Sequence, residues 1–331
     1  MDEPATDPSA EELSTYVERA ATEDALAYLR ALGADDDETR TAALRALRTV
    51  ADDRPAALAP LVPGIEPFLE DEKRSIRLST AKLFVAVAAA APESVREAVP
   101  ALAARLKDDG EFYYVRARVA EALGYVALEE PDVATPAVLA ELRVGLEIDE
   151  PEVKRKLAKA LAHVALGDPD RLRHRVSDLA GHLDDEQELV RYHLCTALVA
   201  VGCERPAKLL SAADALAARL EDDSEHVRGR AAEALGLLAR ETNASELPVD
   251  ALEVVADDEA SFAAERARFA LAGVDGAGLD EGIGSLAAIR ERTDEIVAEM
   301  GAPDGECPGC GLALPENGPP TCPRCGAPYR R

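Results

Sequence analysis

Apolar and small side chains return along this chain in a fixed ladder, each time behind a basic residue. The basic positions are Arg40, Arg77, Arg116, Lys154, Arg191, Arg228 and Arg266, separated by 37, 39, 38, 37, 37 and 38 residues. At offsets of three, four, six, seven and ten the residue is apolar or small. From Arg116 these are Val119, Ala120, Ala122, Leu123 and Val126; from Lys154 they are Leu157, Ala158, Ala160, Leu161 and Val164. Such offsets draw one stripe along an α-helix. One such helix per period, with the period in the high thirties, predicts a helical solenoid.

The rest of each period reads as a second helix ending in an apolar cluster, such as Leu102-Ala103-Ala104-Arg105-Leu106 or Leu216-Ala217-Ala218-Arg219-Leu220. An acidic turn follows: Glu70-Asp71-Glu72, Asp184-Asp185-Glu186 or Glu221-Asp222-Asp223. Carboxylates there suit the unpaired N–H groups and positive dipole end of the next helix. Pro55, Pro92, Pro131, Pro169, Pro206 and Pro248 punctuate the longer loops and fit the first turn of the helix that follows. The unit is a helical hairpin, and the chain holds about seven.

The fullest copy runs Asp222-Asp223-Ser224-Glu225-His226-Val227-Arg228-Gly229-Arg230-Ala231-Ala232-Glu233-Ala234-Leu235-Gly236. An acidic turn, Val-Arg, Ala-Ala and Ala-Leu-Gly in this order resemble the HEAT repeats, in particular the variant named after phycobilisome lyases. The resemblance covers roughly residues 22–274. It implies an all-α fold, a right-handed α-solenoid of HEAT-like hairpins, in which the basic residue pairs with turn aspartates and serves stacking. Lys154 in place of Arg, Thr39 in place of Val, and the Val-less Ala264-Glu265-Arg266 depart from the pattern. The motif speaks for fold and hardly for function.

Four segments follow: residues 1–21, a tail and capping helix; 22–274, the repeats; 275–305, a Gly-rich hinge and amphipathic helix; and 306–331, a Cys-rich module. Ser9-Ala10-Glu11-Glu12 reads as a capping box opening a helix with Leu13, Tyr16, Val17 and Ala20 inward, a cover for the first repeat. Residues 273–284 are too rich in glycine for a helix. From about Ser285 to Met300, Leu286, Ile289, Thr293, Ile296 and Met300 form a two-heptad seam. Two heptads are marginal alone in water, so this helix should dock on the last repeat or on a partner.

The Cys-rich module carries the definite chemistry. Cys307-Pro308-Gly309-Cys310-Gly311 and Cys322-Pro323-Arg324-Cys325-Gly326 are two knuckles whose spacing lets a tight turn present both sulfurs of each pair. Four thiolates at about 2.3 Å satisfy one tetrahedral Zn²⁺. The set is closed, so the ion is expected to be structural in a small four-cysteine zinc ribbon. Arg324, Tyr329, Arg330 and Arg331 make nucleic-acid contact conceivable through the ribbon only.

Charge narrows the partners. The formal net charge is −27, spread over every turn, and 37 basic residues face 64 acidic ones. General phosphate affinity does not fit that balance. Scarce lysine, abundant carboxylates and alanine-rich stripes resemble proteins of salt-accumulating, archaeal-type halophiles. The melting temperature is therefore expected to rise from dilute buffer to molar KCl, where the Debye length is about 3 Å. Circular dichroism melts across that range check this.

Other candidates are the basic concentration Lys154, Arg155, Lys156, Lys159, Arg171, Arg173 and Arg175, of which all but the first two are expected to form a strip for an acidic partner. In Phe112-Tyr113-Tyr114 one ring is expected in the core, leaving Tyr113 or Tyr114 as a contact. Cys195 and Cys203 read as small core residues, and His163, His174, His182 and His193 lack the spacing of a helical metal pair. No nucleotide loop, His-Glu-x-x-His or Gly-x-Ser-x-Gly is present. No signal peptide is read at the start, and no run of about 20 apolar residues occurs. These features together predict a cytoplasmic, monomeric, non-enzymatic scaffold that binds a protein partner along its repeats, with the ribbon as second contact. The rivals are a nucleic-acid- or ribosome-associated factor and an enzyme related to the bilin lyases.

Overall fold

The computed structural model describes residues 10–33, 36–241, 247–259, 261–274 and 282–300, and these form helices with no β-strand. The chain divides into two compact units, Met1–Glu147 and Ile148–Arg331. The first contains α1 (Ala10–Glu18), α2 (Thr22–Leu32), α3 (Asp37–Asp53), α4 (Val62–Ile65), α5 (Arg74–Ala90), α6 (Val99–Lys107), α7 (Tyr113–Glu129) and α8 (Pro136–Val144). The second contains α9 (Pro151–Gly167), α10 (Val176–Ala180), α11 (Glu188–Glu204), α12 (Ala213–Ala218), α13 (Glu225–Ala239), α14 (Val249–Ala256), α15 (Ser261–Val274) and α16 (Leu286–Met300).

The basic-anchored ladders are the long helices. In the first unit α3, α5 and α7 pack side by side; in the second α9, α11, α13 and α15 do so. Shorter pieces form a second layer beneath them, α6 against α7, α10 against α11, α12 against α13 and α14 against α15. The ladder positions fill the space between the layers: Val119, Ala120, Ala122, Leu123 and Val126 are all buried, as are Leu157, Ala158, Ala160, Leu161 and Val164. Each unit is thus a row of helical repeats, the α-solenoid arrangement.

The second element of the repeat is a continuous helix in α6, α8 and α14, but elsewhere it is broken into shorter pieces. Residues 55–70 run as a 3₁₀ segment, the short α4 and another 3₁₀ segment, with Pro60, Pro63 and Pro67 inside. Each proline lacks an N–H and displaces the carbonyl four residues back, so a regular helix cannot persist. Pro55, Pro92, Pro131, Pro169 and Pro206 do open these segments, as expected.

Turn carboxylates act differently from the expectation as well. Asp36 does cap α3, accepting from Glu38 N at 2.8 Å and Thr39 N at 2.9 Å. In later repeats the aspartate closes the turn itself: Asp71 accepts from Lys73 N, Asp185 from Gln187 N and Asp222 from Ser224 N. Its free lone pairs then face the long basic side chain of the preceding repeat. Arg191 donates to both Asp222 oxygens at 2.7 and 2.8 Å, and to the Asp185 and Glu186 carbonyls at 2.9 and 3.1 Å. Arg77 joins Glu111 to the Asp71 and Glu72 carbonyls in the same way. Arg40 meets Asp71, Arg228 meets Asp258, and Lys154 meets Asp185. Arg116 reaches Glu141 of α8. The rungs of Arg40, Arg77, Lys154, Arg191 and Arg228 tie one repeat's turn to the next, the stacking role that the resemblance implies, whereas Arg116 stays within its own repeat. Arg266 is a further exception; its side chain lies inside, as described below.

The glycine of the Ala-Leu-Gly motif has a packing cause. A Cβ on Gly236 would lie 2.8 Å from the Ala270 Cα of α15, and Gly273 approaches the Gly236 carbonyl from the other side. α13 and α15 cross at this point because neither backbone carries a side chain there. At the N-terminal end α1 packs on α2 and α3, with Leu13 and Val17 buried. Tyr16 is only half-buried and Ala20 is exposed, because the helix stops at Glu18 and Ala20 takes a φ of 54°.

Candidate functional site

A second ladder lies on the face of the long helices turned away from the short layer. It occupies offsets of two and five from each basic anchor, the positions that the apolar stripe leaves out. In the first unit it is most complete on α7, where Arg118 and Glu121 pair at 2.9 Å. Tyr114 and Tyr125 flank them at four-residue steps on the same stripe. Both charged side chains are buried.

In the second unit the same offsets give Lys156 and Lys159 on α9, His193 and Thr196 on α11, and Arg230 and Glu233 on α13. On α15 Arg266 itself takes this face. Glu233 Oε2 receives Arg230 Nη1 at 2.7 Å and Arg266 Nε at 3.1 Å, with all three side chains at most 2% exposed. Arg230 also donates to the Tyr192 hydroxyl at 3.3 Å, and the Arg266 guanidinium lies 3.5 Å from the Phe262 ring centroid. Burial pushes the Glu233 carboxyl up, but Arg230, Arg266 and the Gly284 N–H outweigh it and hold it below the usual carboxylate range. Burial, then Lys159, His163 and Lys156, hold the His193 imidazole well below its usual value, so it is neutral.

What covers this face is α16. It packs on α11 and α9, the repeats well before the last, and its seam residues Ile289, Thr293 and Ile296 are buried. Just before it, Gly284 donates its N–H to Glu233 Oε1 at 2.9 Å and accepts the Cys203 thiol on its carbonyl at 3.4 Å. Gly284 has φ +75°, and a Cβ there would lie 2.6 Å from Phe269 Cζ. The seam was legible as a docking helix. Its seat on α9 and α11 was not, because apolar seam positions do not say which repeat they meet.

The predicted site residues fare unevenly. Lys156 and Lys159 share the open face near His193. Arg171, Arg173 and Arg175 follow α9, and each pairs with a nearby aspartate, Asp168, Asp170 and Asp178 respectively. None of the rings of Phe112, Tyr113 and Tyr114 enters the core. They stack on one another with centroids 4.6–5.2 Å apart, Arg74 lies over Phe112, and Tyr113 is exposed. Their place at the start of α7, above the acidic turn, puts them at the rim of the repeat. Cys195 is a core residue as expected, whereas burial first and Glu233 second push the half-exposed Cys203 thiol up to about 12, leaving it a donor. No metal-holding cluster occurs among the described residues. Cys307, Cys310, Cys322 and Cys325 lie outside the described residues.

No protein-family model and no curated protein matches the chain. Solved structures do. An engineered protein superposes with a TM-score of 0.67 at 20% identity, covering 81% of this chain and 74% of its own. A designed armadillo repeat protein gives 0.57 at 21% identity over 64% of this chain and 99% of its own. A second designed armadillo repeat protein, in complex with the peptide (KR)4, gives 0.58 at 22% identity over 64% and 99%. At these identities the likeness is one of fold, and it places the chain among helical repeat proteins.

Proposed function

We propose that the chain is a non-enzymatic, HEAT-type scaffold that binds a protein partner along its repeats. The polar ladder at offsets two and five carries this reading. Stacking needs only the basic anchors and the apolar stripe, yet Lys156 and Lys159 place further, partly exposed charge on the second unit's long-helix face, whereas Arg118–Glu121 and Arg230–Glu233 are buried pairs. A repeat protein of this fold with a bound peptide supports it. Lys156 and Lys159 suit an acidic partner, and Tyr113 and Tyr114 offer a further contact. Among the described residues no helix is long and apolar enough to cross a membrane.

The test is capture of the native partner by the wild type and by a Lys156→Glu/Lys159→Glu variant. The variant should associate several-fold more slowly at unchanged melting temperature, since rim charges mainly set the association rate. Copurified RNA would favour the nucleic-acid rival, and a bound chromophore the lyase rival.

The C-terminal module adds a second contact, folded around one structural Zn²⁺ held by Cys307, Cys310, Cys322 and Cys325. Protein prepared without added zinc should contain close to one equivalent by metal analysis. Cys322→Ser should lose that metal while the helical circular dichroism signal stays nearly unchanged, because structural zinc supplies folding energy locally. Full metal content in the variant contradicts the assignment.

A further inference from the structure

We infer that the rung at Lys154 is a binding site for an arginine side chain of a partner protein, its guanidinium seated beside Lys154 between the turns that open α9 and α11. The inference goes beyond the scaffold reading. It concerns the acidic edge of the second unit and uses neither Lys156 nor Lys159.

Other repeats of the chain show what this place accepts. Arg77 donates to the Asp71 and Glu72 carbonyls and to Glu111 of the next turn. Arg191 donates to the Asp185 and Glu186 carbonyls and to Asp222. Arg228 donates to the Asp222 and Asp223 carbonyls at 2.7 and 3.1 Å and to Asp258 at 2.6 Å. In each case one guanidinium joins two carbonyls of its own turn to a carboxylate of the next. Counted back from Lys154, the matching carbonyls are those of Ile148 and Asp149. Here the anchor is an ammonium, a point donor without the planar fork of arginine. Lys154 donates to Asp185 Oδ2 at 3.0 Å and to neither carbonyl. The Ile148 carbonyl takes the Glu150 N–H at 2.8 Å, and the Asp149 carbonyl has no donor among the described residues.

The shorter anchor leaves a cavity of about 310 Å³, whose walls include Asp149, Lys154, His182, Asp184, Asp185 and Glu186. Four carboxylates there face one ammonium. Lys154 answers Asp185, whereas the side chains of Asp149, Asp184 and Glu186 carry no ion pair or hydrogen bond among the described residues. The Asp185 hydrogen bond, against the cost of burial, and then the charges of Asp185, Asp149 and Glu186 hold the Lys154 ammonium above its usual pKa, so these carboxylates surround one spot. Among the described residues no such group is placed to hold a metal ion. The acceptors are spread over two turns instead, which suits a planar cation with five donors. The His182 ring adds a flat wall, and a guanidinium stacks on such rings where an ammonium keeps its water. The helix starts beside the cavity oppose any cation, but the rungs of Arg77, Arg191 and Arg228 stand at helix starts too and hold theirs.

The experiment titrates the full chain with N-acetyl-arginine amide and follows its backbone amide signals by NMR. The expected result is a saturable shift of the Asp149, Asp185 and Gln187 amides, with N-acetyl-lysine amide several-fold weaker. Lys154→Met keeps the aliphatic stem and removes the like charge, so it should tighten binding several-fold. Lys154→Arg should abolish binding and raise the melting temperature, because its own side chain then fills the site. Free arginine should bind more weakly than the amide, since its α-carboxylate meets the acidic rim; tighter binding of free arginine overturns the partner reading in favour of a small-molecule site. Unchanged binding by Lys154→Arg overturns the inference, and so does the absence of any saturable shift. Equal shifts at the Asp71–Glu72 and Asp222–Asp223 turns, where an arginine is already seated, also overturn it and leave only a general attraction of cations to acid. In each of these cases partner capture through Lys156 and Lys159 can still succeed, so the scaffold reading stands or falls separately.

Discussion

Glu233→Ala should destabilise the second unit by about 3–5 kcal/mol while the first unit keeps its stability. The carboxylate is 1% exposed and is the shared acceptor of Arg230 and Arg266. Its loss leaves two guanidiniums facing each other without a counter-charge, where water cannot reach them. It also strands the Gly284 N–H that starts the approach to α16. Native-state hydrogen exchange resolves the effect, because amides of residues 148–300 should lose protection together while those of α3, α5 and α7 serve as an internal reference. Removing charge from both sides is the control: Arg230→Met/Glu233→Leu should cost less than Glu233→Ala alone, since the cost lies in the unpaired charge and not in the missing contact. Equal protection in wild type and Glu233→Ala would mean the cluster is solvated.

Asp222→Ala should come close behind, again at about 3–5 kcal/mol. Asp222 accepts both Arg191 donors, a third bond from Arg219 at 3.3 Å and the Ser224 N–H at 3.1 Å, with its side chain 1% exposed. One substitution thus loosens a turn and unpairs two arginines. The outer pair Lys73–Asp37 gives the contrast, since both side chains are about half exposed. Lys73→Ala should change stability by less than about 1 kcal/mol. Urea unfolding of the two variants side by side tests the ranking, and comparable losses would put the rung and the surface pair on the same footing.

Much of this was legible in the chain, for a physical reason. The stripe from Arg116 or Lys154 is apolar because it lies between two layers, and burial writes its period into the sequence. The rungs were legible through the resemblance, since a single basic residue per period has no local helical cause. The short layer was misread between residues 55 and 70, where the apolar residues are spaced for a helix while Pro60, Pro63 and Pro67 forbid one, and the prolines win. Lys156 and Lys159 were singled out as basic candidates, but the face they share with Arg230 and Glu233 went unseen although it shares the period. Polar residues at offsets two and five look like ordinary solvent-facing positions until α16 is known to cover them. Arg266 was counted as a rung on spacing alone, although the Val before it is missing, and its side chain turns inward onto Glu233.

The rungs also give each repeat a direction. Within each unit a repeat offers a cation forward, as Arg40 does to Asp71 and Arg191 to Asp222, so a bare row of such repeats would end in an unmet carboxylate on one side and an unmet guanidinium on the other, and two such rows could join end to end without limit. Both ends are closed chemically as well as sterically. At the first, Asp36 is turned onto its own helix and Asp37 is shared by Arg40 and Lys73. At the last, Arg266 is withdrawn onto Glu233. The bond that withdraws Arg266 is thus of the same kind as the one it would otherwise offer forward, and a chain lengthened by one more copy of the Arg228 repeat would present that offer again.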